Sequence, residues 1–109
     1  MKGIEDIIGL AGNDTVVALT AISNGTIDLG GGTDSLVLSG LNNTFSVTNA
    51  EAITGSGASN DSITLTGITS VSLSDGGGND TLMDTGSGND TIALGAGSDS
   101  IVLGSAMIK

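Results

Sequence analysis

Residues 86–103 read GSGNDTIALGAGSDSIVL, one nine-residue phrase given twice, Gly86–Leu94 and then Gly95–Leu103. In each copy glycines lead to an acid, Asp90 or Asp99, and polar and aliphatic residues then alternate through Leu94 or Leu103. Alternation with period two sends successive side chains to opposite faces of a strand. The glycines that interrupt it mark a turn. The phrase therefore reads as a short strand, a glycine-rich turn, and the same again.

The step at its centre, Asp followed by Ser or Thr and then an aliphatic residue, recurs along the chain. It begins at Asp14, Asp34, Asp61, Asp80, Asp90 and Asp99. Glycine stands two residues before five of these acids (Gly12, Gly32, Gly78, Gly88 and Gly97), and Ser59 takes that place before Asp61. Between these copies lie segments that keep the alternation and lose the acid: NGTIDL at 24–29, NNTFSV at 42–47, AEAIT at 50–54 and ITSVSL at 68–73. The central apolar residues are then Val16, Ile27, Leu36, Phe45, Ile53, Ile63, Val71, Leu82, Ile92 and Ile101, spaced by 8 to 11 residues. A fixed short period of this kind is the signature of a repeat architecture.

Strands of four or five residues repeating every nine or ten can coil, with two units per turn and each strand stacked on the strand one turn away. The expected fold is all-β, a parallel β-roll or β-solenoid of about five two-strand coils. The expected ladders are Val16, Leu36, Ile53, Val71, Ile92 on one side and Ile27, Phe45, Ile63, Leu82, Ile101 on the other. Leu29, Leu38, Val47, Leu65, Leu73, Leu94 and Leu103 should face inward beside them. One domain over residues 1–109 is expected, with repeats from about 9 to 103 that are imperfect over 39–73. Five coils at ~4.8 Å each would stand about 24 Å tall. A thin interior between two aliphatic layers accounts for a chain with Phe45 as its one aromatic residue.

The net charge is −10, and the two basic residues, Lys2 and Lys109, stand at the ends of the sequence. A body without positive charge excludes a nucleic-acid backbone as partner. The chain has no cysteine and no histidine. Disulfides, thiolate metal sites and Ser-His or Cys-His catalytic pairs are thereby removed, and no enzymatic role is expected. No apolar run reaches membrane-spanning length. The opening MKGIEDIIGLAG carries Glu5 and Asp6 where the apolar stretch of a secretory signal would sit, so any export would use a route that does not read the N-terminus.

Glycine-rich turns can aim backbone carbonyls at a common point, and the following Asp adds a carboxylate. These are hard oxygen ligands suited to calcium. One turn supplies too few, but two stacked turns supply enough. The acids fall one coil apart: Asp61, Asp80 and Asp99 at intervals of 19, and Asp14 and Asp34 at 20. Asp90 lies on the opposite edge from that triplet, with no acid stacked above it. Asp84, two residues after Leu82, falls in the inward phase, where a local bulge is expected in place of a buried charge. Asp28 is expected to be solvated.

On these residues the turns resemble the nonapeptide repeats of the RTX family, Gly-Gly-x-Gly-x-Asp-x-U-x with U aliphatic. GGGTDSLVL at 30–38, GGGNDTLM at 76–83 and both halves of 86–103 match the pattern, although Leu29, Asp75, Thr85 and Leu94 stand where the family has its first glycine. The resemblance implies Ca2+ held by Asp14, Asp34, Asp61, Asp80, Asp90 and Asp99. It also implies turns built on Gly12, Gly30, Gly32, Gly57, Gly76, Gly78, Gly86, Gly88, Gly95 and Gly97, and folding switched on by the metal. It further implies an extracellular, bacterial protein exported by a type I apparatus. The acid-free units are expected to bind nothing.

Apolar segments at both ends, with no polar capping unit between them and the repeats, suggest head-to-tail assembly with copies of the same chain into a filament. Two alternatives stand beside this. An outer row of Thr26, Thr44, Ser62, Thr81 and Ser100 would suit an ice-binding or adhesive segment facing ice or a cell surface. The chain would equally suit a passive calcium module of a larger secreted protein.

Overall fold

The computed structural model describes residues 6–55, 57–67, 70–86, 88–104 and 107–108. Twelve strands follow one another: β1 (Asp6–Ile8), β2 (Thr15–Val17), β3 (Ser23–Asp28), β4 (Ser35–Val37), β5 (Thr44–Thr48), β6 (Ala52–Thr54), β7 (Ser62–Thr66), β8 (Ser72–Ser74), β9 (Thr81–Asp84), β10 (Asn89–Ala93), β11 (Ser100–Leu103) and β12 (Met107–Ile108). No helix occurs among the described residues. Odd strands form one six-stranded sheet in the order β1-β3-β5-β7-β9-β11, and even strands form a second in the order β12-β10-β8-β6-β4-β2. Every strand pairs in parallel with the strand one coil away. The chain is the expected β-solenoid. The stack extends beyond residues 9–103 at both ends, through β1 and β12.

The side-chain columns follow from this register. In the even sheet Val16, Leu36, Ile53, Leu73 and Ile92 stack. Leu73 therefore holds the rung expected for Val71, which lies just before the strand. Without an acid in ITSVSL, the sequence offers two apolar residues in the same phase and nothing to choose between them. In the odd sheet Phe45, Ile63, Leu82 and Ile101 stack as expected. The residue beneath Phe45, however, is Gly25, and Ile27 pairs with Val47. Asn24 causes this slip: it takes a left-handed backbone at φ 55°, and the register shifts between Ser23 and Gly25. The bulge sets a residue without a side chain under the ring, so the layer accommodates its one aromatic group.

The interior is a double aliphatic layer built from Ile27, Leu36, Phe45, Ile53, Ile63, Leu73 and Leu82, each at most 3% exposed. Two facing sheets lie about 10 Å apart, a gap that branched aliphatic side chains fill without rings. Each fully buried Leu or Ile in such a layer contributes roughly 1.5–3 kcal/mol.

The turns alternate between the two edges of the stack. At 30–32 the chain uses three glycines, of which the first and last lie at positive φ, 84° and 131°. A Cβ on Gly32 would stand 2.1 Å from the carbonyl oxygen of Gly12 in the coil below, so backbone meets backbone there and only glycine fits. Of the other glycines expected to build the turns, Gly12, Gly57, Gly78, Gly88, Gly95 and Gly97 share this positive φ, whereas Gly76 and Gly86 do not.

Candidate metal centre

Where a turn ends in Asn60–Asp61 or Asn79–Asp80, its last two residues tie neighbouring coils together in opposite directions. The Asn reaches toward the following coil. Asn13 Oδ1 accepts the Thr33 amide at 2.8 Å, Asn60 Oδ1 accepts that of Asn79 at 2.7 Å, and Asn79 Oδ1 accepts that of Ser98 at 2.9 Å. The acid reaches back toward the preceding coil. Asp80 Oδ1 accepts the Asp61 amide at 2.9 Å, Asp99 Oδ1 accepts that of Asp80 at 2.9 Å, and Asp34 Oδ1 accepts that of Asp14 at 2.7 Å. Asp90 Oδ1 accepts the Val71 amide at 2.7 Å, with no acid in that coil beneath it.

The units without the Asp-Ser/Thr step join the same ladders. Asn43 stands in the rung below Asp61, accepts the Ile22 amide at 2.9 Å and donates its own amide to Asp61 Oδ1 at 2.7 Å. On the other edge Glu51 Oε2 accepts the Asp34 amide at 2.7 Å. Neither was expected to take part, because each departs from the Asp-Ser/Thr step. Their signal lay in position alone, as the polar residue directly before a strand.

One place in the stack concentrates acidity. Asp61, Asp75 and Asp80 are all buried, and one carboxylate oxygen from each lies within 4.8 Å of the others. Asp61 and Asp80 end consecutive turns on one edge. Asp75 enters from the exit of β8, at the position where the RTX pattern has its first glycine. It faces inward two residues after Leu73. Asp75 Oδ1 accepts the Gly76 amide at 2.9 Å. Its Oδ2 and that of Asp80 are buried without a hydrogen-bond donor. The coil below makes room at Gly55, where a Cβ would stand 2.0 Å from Asp75 Oδ1. Sequence reasoning missed both Asp75 as a ligand and Gly55. The inward phase of Asp75 just before a run of glycines was the available signal.

Burial and mutual repulsion set the electrostatics of the cluster. Burial, reinforced by the Asp61 and Asp80 charges, pushes the Asp75 carboxyl up to about 6 against the pull of the Gly76 amide. Asp80 is also raised, first by burial and then by Asp61 and Asp99, with the Asp61 amide opposing. Both basic residues, Lys2 and Lys109, lie outside the described residues, so no described side chain carries a positive charge to these acids. Three carboxylates converging in a dry position suit a hard cation with oxygen preference, and calcium or magnesium fit the donor set.

The remaining expected ligands divide by position. Asp34 and Asp90 are buried, Asp14 is half-buried and Asp99 is exposed in the last described turn. Two expectations are corrected. Asp84 forms no bulge: β9 pairs rung by rung with β7 and β11, so Asp84 sits between Leu65 and Leu103 and is 2% exposed. Asp28 is not free in solvent. It is half-buried, and its Oδ1 accepts the Asn49 side-chain amide at 2.8 Å and the Gly30 amide at 3.1 Å.

The outer hydroxyl row also differs from its expected form. Thr44, Ser62, Thr81 and Ser100 do stack, but Ser23 stands below them. Thr26 belongs to the next column, with Ser46, Thr64, Met83 and Val102. Comparison with known proteins finds no matching family model, no similar curated protein and no similar solved structure.

Proposed function

We propose that this chain is a calcium-binding structural β-solenoid of the RTX type, ordered by the metal and exported to the cell exterior. The observation that carries the reading is the Asp61–Asp75–Asp80 cluster, in which three buried carboxylates converge with no basic side chain among the described residues to neutralise them. A cation there removes the repulsion that burial imposes, so binding free energy becomes folding free energy. The positive-φ glycines, in phase with the acids, support the family assignment. Far-ultraviolet circular dichroism during a calcium titration tests it. The chain should be largely disordered in chelator and β-rich in millimolar calcium, and identical spectra in the two conditions would refute the reading.

Assembly of copies end to end is a second reading, favoured by the last odd strand. Ile101 and Leu103 belong to inward columns, yet they are 45% and 46% exposed. A further coil from another copy would cover them and pair the open edge of β11. Sedimentation in saturating calcium should show species larger than one chain, and a monomer at high concentration would remove this reading.

A further inference from the structure

The inward column of the odd sheet runs Ile7, Ile27, Val47, Leu65, Asp84, Leu103. An acid in such a column carries a large desolvation cost unless something binds it. Asp84 Oδ1 accepts the Gly86 amide at 3.1 Å, while Oδ2 is buried and has no donor. The carboxyl lies near that of Asp90, which is also 2% exposed. Two ionised carboxylates near one another away from water repel strongly unless they share a proton or a cation stands between them.

The arrangement repeats that of the first cluster on the opposite edge. In both, an acid stands in the inward phase at the end of a strand: Asp75 just after β8 and Asp84 as the last residue of β9. In both, a turn amide holds its Oδ1, from Gly76 at 2.9 Å or from Gly86 at 3.1 Å. In both, its Oδ2 is buried without a donor, and an acid at the far end of the turn, Asp80 or Asp90, comes near it. The difference lies in the coil below, where Asp61 supplies a third carboxylate to the first cluster and Val71 supplies none to the second.

We propose that Asp84 and Asp90 hold a second divalent cation of oxygen preference, on the edge opposite the Asp61–Asp75–Asp80 centre and weaker for want of the third carboxylate. The proposal shares only the identity of the ion with the functional reading above. It assigns a ligand, Asp84, that the nonapeptide pattern lacks.

The test is calcium counting by equilibrium dialysis on the full chain, with directly excited europium(III) luminescence to resolve distinct sites. Three variants are compared: Asp84→Leu, which completes the aliphatic column; Asp90→Asn, which keeps an acceptor for the Val71 amide; and Asp75→Gly. Asp84→Leu and Asp90→Asn should each lose one ion and one europium line while keeping the tighter ion. Asp75→Gly should weaken the tighter ion instead. The same ion count and affinities in Asp84→Leu as in the parent chain would overturn the proposal and leave the first centre standing. A parent chain that binds no calcium would overturn both.

Discussion

Asp80 binds the coil below it with one oxygen and withholds the other. Its Oδ1 accepts the Asp61 amide at 2.9 Å, and its Oδ2 is buried without a donor beside the carboxylates of Asp61 and Asp75. The same side chain therefore belongs to the hydrogen-bonded staple between coils and to the candidate ion site. Both roles would fail together on its removal.

Asp80→Ala should weaken calcium-driven folding more than Asp90→Ala, and Asp90→Ala more than Asp28→Ala. Loss of a charge-assisted bond costs about 1.5–3 kcal/mol before any ligand effect, so the calcium midpoint should rise by at least about tenfold in Asp80→Ala. Asp28, which holds Asn49 and the Gly30 amide away from the cluster, should change it little. The midpoint of the circular-dichroism titration ranks the three, and equal shifts would point to diffuse charge in place of discrete sites.

Gly55→Ala should act on the ion through Asp75. The added methyl would stand 2.0 Å from Asp75 Oδ1, so the carboxylate must turn out of the cluster. Calcium affinity measured by titration calorimetry should fall by about tenfold, since the lost ligand is charged. An unchanged affinity would show that Asp75 is not a ligand.

The metal-free chain should gain stability in acid. Asp75 and Asp84 rise from 3.8 to about 6 in the folded state, chiefly through burial. The folded form then binds protons that the unfolded form has released, and stability falls as pH rises from about 4 through 6. In chelator, the β-sheet signal in circular dichroism should be stronger at pH 5 than at pH 7.5. Calcium should reverse the order, because ionised carboxylates bind the metal.

Gly31 and Gly32 are neighbours with opposite tolerance. Nothing lies within 4 Å of a Cβ on Gly31, and its φ is not positive, so Gly31→Ala should change stability by under about 0.5 kcal/mol. Gly32, at φ 131° against the Gly12 carbonyl, should cost about 1–3 kcal/mol or more on the same change. Paired thermal melts in calcium compare them.

The solenoid and its acid ladders were legible because Asp, Ser or Thr and an aliphatic residue recur in one phase, and that phase fixes both strand and turn. The errors fell where the phase lost its anchor. Without an acid, 68–73 left Val71 and Leu73 equivalent, and nothing local announced the Asn24 bulge that lifts Ile27 onto Val47. Asp75 and Asp84 were misjudged for a different reason. Their inward phase was visible, but a buried carboxylate is so costly that a bulge or a simple replacement was the natural expectation. The structure keeps both acids inward, one beside Asp80 and one beside Asp90.

The opposed staples give the stack a direction in time. A ribosome delivers Asp61 first, and its amide has no acceptor until Asp80, nineteen residues later, comes into place. The Asn60 side chain likewise finds the amide it accepts only when Asn79 is made. Each coil is thus finished by its successor, and the growing end of the chain always carries one incomplete rung.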